Sequence, residues 1–164
     1  MGRGSDPERI VAAEADLASR RSPADVLKAL AGHLVETLDA SACVVSRIVG
    51  DMLVQLTEHT RAGTTLKQLG HGYLIADFPL TREVLEKSET RTVTLDDPDA
   101  DDAEARLLRE LGFDALLMTP LCVDARPWAL VEVYGAGRGR FDGSNETVAR
   151  SLSDAAGSVL ERLA

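Results

Sequence analysis

The chain is 164 residues long, enough for one domain with a sizeable core and too short for two ordinary ones. Its 27 acidic against 18 basic residues, a formal net charge of −9, speak against a nucleic-acid surface, which needs clustered positive charge; the basic clusters here, Arg20-Arg21 and Arg138 to Arg140, are small. No apolar run approaches bilayer length, and the start Met1-Gly2-Arg3-Gly4-Ser5 lacks the apolar core of a signal peptide, so a soluble, cytoplasmic protein with no nucleic-acid or membrane partner is expected.

Residues 1–6 are set aside as a disordered segment or a cloning remnant. From Pro7 to about Ser19 a helical stripe of Ile10, Ala13 and Leu17 opposes Glu8, Arg9, Glu14 and Asp16, giving an N-terminal helical extension over residues 7–22. Ser22, Pro23 and Asp25 are a helix start: a hydroxyl cap, a proline at the first helical position and a carboxylate near the positive end of the dipole. This second helix runs to about Asp39 and buries Leu27, Leu30, Leu34 and Leu38. It opens the main domain, residues 23–164. His33 lies at the edge of its apolar face and has no second ligand at the i+4 spacing of helical metal pairs, so it is read as a half-buried packing residue.

Ala42 to Val49 is apolar on both alternating faces except at Ser46 and Arg47, the pattern of a central strand. Gly50-Asp51 turns the chain, and Met52 to His59 returns with Leu53, Gln55 and Thr57 on one face. Thr60 to Pro79 has little periodicity but is rich in apolar and aromatic residues, which predicts an ordered lid. Leu80 to Ser88 is helical, with Thr81 as its cap and Leu80, Val84 and Leu85 facing inward. Arg91 to Leu95 alternates as a short strand and runs into Asp96-Asp97-Pro98-Asp99. That acidic turn lacks the spacing of a calcium loop and is read as capping the next helix, Asp101 to Leu111, which Gly112 stops.

Phe113 to Val123 and Pro127 to Tyr134 form a second hairpin about Asp124-Ala125-Arg126. The loop Gly135-Ala136-Gly137-Arg138-Gly139 holds a Gly-x-Gly, but Arg140 stands where a dinucleotide fingerprint needs its third glycine and no βαβ unit surrounds it. From Asn145 a terminal helix carries Val148, Leu152, Ala155, Val159 and Leu163 at near-heptad spacing, with Leu160 widening the stripe. Both ends finish in helix. The terminal helices are therefore expected to pair and to build a homodimer. The fold predicted is α+β: a mainly antiparallel sheet of five or six strands, with the N- and C-terminal helices on one face and a loop and short-helix lid on the other.

This order of elements, with Thr119-Pro120-Leu121 in the first strand of the second hairpin and Phe141 followed by Asn145-Glu146, resembles a GAF domain over Ala24 to Leu163. The family has a PAS-like fold and serves as small-molecule sensor and regulatory modules. Cyclic-nucleotide members have an Asn-Lys and a Phe-x-x-x-Asp-Glu pattern; here Asn145 replaces the Asp and no Asn-Lys occurs, so Phe141 and Glu146 read as anchors of the last helix. Bilin-binding relatives need an exposed cysteine and an Asp-Ile-Pro motif, which Asp77-Phe78-Pro79 matches in part; no covalent bilin is expected.

The resemblance implies a non-enzymatic sensory domain that binds an unidentified small ligand between sheet and lid and relays occupancy through its terminal helices. It leaves the cofactor unknown. Candidate ligand-binding residues are Tyr73 and Phe78 from the lid, Thr94 and Asp96 from the short strand, Thr119 from the proline-containing strand, and His59 or Arg82 at the mouth. Tyr73 and Phe78 could equally fill the core. No metal site is predicted. Two alternatives stand beside this reading: a free methionine sulfoxide reductase of the same fold working through Cys43 or Cys122, and a dimerisation module whose own side chains fill the pocket. Both cysteines lie in apolar strand-like runs, where burial as small hydrophobes is the plainer reading.

Overall fold

A computed structural model describes residues 7–66, 72–137 and 141–164. Residues 1–6, the lid residues 67–71 with His71 among them, and the loop residues Arg138 to Arg140 fall outside the described residues. Among the described residues five α-helices, α1 (Pro7–Ser19), α2 (Pro23–Thr37), α3 (Pro79–Lys87), α4 (Asp102–Leu111) and α5 (Gly143–Leu163), accompany six strands. The strands are β1 (Ala42–Val49), β2 (Met52–Thr60), β3 (Gly72–Leu74), β4 (Arg91–Thr94), β5 (Ala115–Val123) and β6 (Arg126–Gly135). They form one sheet in the order β3-β2-β1-β6-β5-β4 with every neighbour antiparallel. The architecture is the expected α+β one.

Period-two alternation divides the core between two faces. Cys43, Val45, Leu117, Leu121, Val131 and Val133 meet α1, α2 and α5, while Val44, Leu53, Leu116, Met118, Leu130 and Tyr134 meet α3 and α4. Ser22 caps α2 through its side chain on the Asp25 amide, and Asp101 caps α4 on the Glu104 amide. Asp142 and Asn145 form a reciprocal capping box at the start of α5, with Phe141 buried beneath it. Glu146 lies in that first turn, as an anchor should. His33 Nε2 lies 2.6 Å from Asp16 Oδ2 and ties α2 to α1; this contact first, and Arg20 second, hold the Asp16 carboxyl below its usual range.

Two details differ from the sequence expectations. Thr81 is not a cap: the helix begins after Phe78, without a side-chain cap, and Thr81 is buried within it with its hydroxyl on Glu104. Thr57 does not share a face with Leu53 and Gln55. The register slips by one residue between Val45 and Ser46, so that Ser46 faces Gln55 and Val45 faces Thr57; the extra residue, Leu56, sends the chain beyond it to the helix-covered face.

Candidate functional site

Between the sheet and its lid lies a cavity of about 260 Å³. Its floor is the lid-facing side of three adjacent strands: Leu53 and Gln55 of β2, Val44 and Ser46 of β1, and Glu132 and Tyr134 of β6. Leu66, Gly72, Tyr73 and Phe78 wall one side, and Leu107, Glu110 and Leu111 of α4 the other. Gly72 is there for close approach: a Cβ at this position would lie 2.6 Å from the Leu53 carbonyl oxygen, so a larger residue would push β3 off β2. Tyr73 and Phe78 meet edge to face, ring centroids 4.9 Å apart.

Glu132 is the chemical centre of the floor. It is 2% exposed, on a strand otherwise apolar from Ala129 to Val133. The Tyr73 hydroxyl donates to its Oε1 at 2.8 Å and the Tyr134 hydroxyl to its Oε2 at 2.9 Å. Burial raises the Glu132 carboxyl above its usual range, and the two tyrosine hydrogen bonds offset only part of that. Both tyrosine hydroxyls are pushed well above theirs, by burial first and by the neighbouring Glu132 charge second. The Tyr134 ring stacks on Phe113 with centroids 5.2 Å apart, which fixes its direction.

A second acid lies behind the first. Glu104 of α4 is fully buried; its Oε1 accepts from Thr81, while its Oε2 has no hydrogen-bond partner. Burial, reinforced by repulsion from Glu132, pushes its carboxyl up to about 8. At neutral pH it is therefore largely the neutral acid. On the floor itself, Ser46 is 2% exposed, lines the cavity and makes no hydrogen bond among the described residues.

Of the candidates named from sequence, Tyr73 and Phe78 line the cavity and the other five do not. Thr119 points to the opposite face, in the β5 series of Ala115, Leu117 and Leu121, where its hydroxyl pairs with Thr90 at 2.7 Å. His59 is opposite Cys43 and beside Gly32 of α2, on the helix side, carried there by the bulge at Leu56. Thr94 ends β4 at the far edge of the sheet, Asp96 is exposed in the following turn, and Arg82 is exposed on α3. Glu132, Tyr134, Ser46 and Gln55 were not singled out in advance. A lone carboxylate inside Leu130 to Tyr134 was the readable signal for the first.

Neither cysteine reaches the cavity. Cys43 is fully buried toward the helices, its thiol shifted far upward, chiefly by burial. Cys122 is half-buried near the end of β5, its sulfur 3.5 Å from the Ser88 hydroxyl oxygen. Among the described residues no group of three or more His, Cys, Asp or Glu side chains could hold a metal ion. No helix among them is long and apolar enough to cross a membrane.

The architecture is an antiparallel α+β sandwich with helices sealing one face and a lidded cavity on the other. The GAF domain family model matches residues 20–161, and the chain belongs to that family. A search of curated proteins finds no match. Solved structures resemble it throughout its length. The phycoerythrobilin-bound GAF domain of a cyanobacterial phytochrome superposes with a TM-score of 0.83 at 13% identity, over 96% of this chain and 97% of that one. A phycocyanobilin-bound GAF domain of a cyanobacterial phytochrome gives 0.79 at 15% identity, over 95% and 93%. The chromophore-binding domain of a Stigmatella aurantiaca phytochrome gives 0.79 at 16% identity, over 93% of this chain and 59% of that one, so this chain spans less than two thirds of that chain's length. At such identities the likeness is one of fold.

Proposed function

We propose that this chain is a non-enzymatic sensory GAF domain, in a cytoplasmic protein, that binds a small ligand in the cavity between sheet and lid and relays its occupancy through the terminal helices. The observation that carries this reading is the cavity itself, apolar and aromatic on its walls with a few converging polar groups, as ligand sites are. Two of the GAF domains similar in fold hold bilins, which supports a ligand in this family's architecture without naming the one bound here.

The relay reading rests on the sheet. Glu132 and Tyr134 face the cavity, while Val131 and Val133, interleaved with them on the same strand, pack against the helices. β6 pairs with β5, the strand against which α5 lies, so a ligand that shifts β6 reaches the seat of α5 through β5. Such a ligand biases helix arrangements only if it binds them unequally. Both cysteines lie away from the cavity and Cys43 is sealed, which favours binding over thiol catalysis.

Dimerisation through the terminal helices belongs to the same proposal, in altered form. Within one chain α1 and α5 already pair: Ser151 Oγ donates to Glu14 Oε1 at 3.1 Å and the Arg162 guanidinium to the Ala18 carbonyl at 2.7 Å. The face left for a partner is the outer stripe of α1, where Val11 is 64% exposed and Ala15 and Ala18 follow at i+4 and i+7.

The test of ligand binding is native mass spectrometry of protein purified from its own cells, beside a Ser46→Phe variant whose ring fills the floor. A bound small molecule in the first and its loss in the second is expected. The bare polypeptide mass in both would overturn the reading.

A further inference from the structure

We propose that the cavity selects a cationic ligand, an ammonium or amidinium group on a compact apolar body, with the cation seated at Glu132 and Ser46. This rests on the sensory reading above and names the chemistry of its ligand.

Among the described residues, the charged groups on the cavity wall are all acidic. Glu132 stands at the floor and Glu110 at the exposed rim, and no Lys, Arg or His is among the described residues that line the space. The remaining polar side chains are neutral: Ser46, Gln55, Tyr73 and Tyr134. Glu132 spends one lone pair of each oxygen on a tyrosine hydroxyl, and an ionised carboxyl has about four acceptor sites, so two remain for a donor-only group. Ser46, itself 2% exposed and on the strand beside Glu132, adds a hydroxyl that makes no hydrogen bond among the described residues. An ammonium has three donors and no acceptor, which suits that set.

The environment decides between charge classes. Glu132 faces Tyr73 from β3 and Tyr134 from its own strand, hydroxyl donors that bring no positive charge to balance it, while Glu104 of α4 is held largely as the neutral acid. An anionic ligand would meet Glu132 in a poorly hydrated space, with Glu110 at its rim, where like charges repel strongly. A cation would discharge them. The aromatic rings of Tyr73, Phe78 and Tyr134 border the same space. The apolar walls, Val44, Leu53, Leu66, Leu107 and Leu111, then hold the body.

Three probes that share a phenyl ring and a two-carbon arm but differ in charge separate the possibilities: 2-phenylethylammonium, 2-phenylethanol and 3-phenylpropionate. Each is titrated into the protein at neutral pH by isothermal calorimetry, with amide shifts of Ser46, Gln55, Glu132 and Tyr134 followed by NMR. The expected order is ammonium tightest, by at least about tenfold over the carboxylate. In Glu132→Gln, which keeps size and removes charge, the ammonium preference should collapse to about twofold or less. Glu110→Gln, at the exposed rim where folding is not at stake, should reduce it in part. Carboxylate or alcohol binding at the same amides, as tightly as the ammonium, overturns the charge assignment and leaves a ligand site standing. Binding of none of the three at these amides overturns the charge assignment and the ligand-site reading together. An ammonium preference unchanged in both variants also overturns it.

Discussion

Glu104 and Glu132 place two carboxyl groups in the layer between sheet and lid, and their protonation couples stability to pH. The folded-state value of Glu104, about 8, lies above the ordinary 4.5, so over that interval the folded chain holds a proton that the unfolded chain has released. Its contribution is full below about 4.5 and is lost as pH rises through about 8. Urea unfolding of the wild type and Glu104→Gln across about pH 5 to 8 should show the wild type losing about 2 to 4 kcal/mol relative to the variant. A constant difference between the two proteins would place the ionised form of Glu104 in the native state. Thr119 gives the complementary test: Thr119→Val should cost about 1 kcal/mol for the lost Thr90 hydrogen bond and leave probe affinity unchanged, since the side chain is on the helix face. At this scale Tyr73 and Phe78 were legible as aromatics in a lid. Thr119 was misread because β5 is buried on both faces, and a strand apolar on both sides does not reveal which parity faces the cavity.

Between elements, close approaches and bulges decide more than propensity. α5 lies against β5 through Gly157, where a Cβ would come within 2.1 Å of the Cys122 carbonyl oxygen. Alanine is the better helix former by about 1 kcal/mol, but a backbone atom cannot move aside as a side chain can. Gly157→Ala should therefore destabilise the protein by about 2 kcal/mol or more in thermal unfolding, against the propensity. An unchanged or raised melting temperature would contradict this seating of α5. The helices, the two hairpins and the two-layer order were legible from periodicity, caps and turns. The bulge at Leu56 was not, since no Gly or Pro marks it, and it moved His59 and Thr57 to the helix face while aligning Gln55 with Ser46 on the cavity floor. In α5 the seam read as a dimer contact, with Val148, Leu152 and Val159, is buried within the chain itself, because a helix stripe does not say which partner covers it.

For the whole molecule, the sheet separates the layer that holds the cavity from the layer of α1, α2 and α5, and the same strands border both. A dimer through the outer stripe of α1 predicts a concentration-dependent sedimentation coefficient that Val11→Asp returns to the monomer value. A wild type that sediments as a monomer at high micromolar concentration removes the dimer and leaves the cavity untouched. The central claim, that occupancy of the cavity reaches the terminal helices, is tested by hydrogen exchange with and without 2-phenylethylammonium. The account predicts slower exchange in residues 72–87 and 102–111 together with a change in protection in α1 and α5. Exchange altered around the cavity alone, with both terminal helices the same to within error, would contradict it.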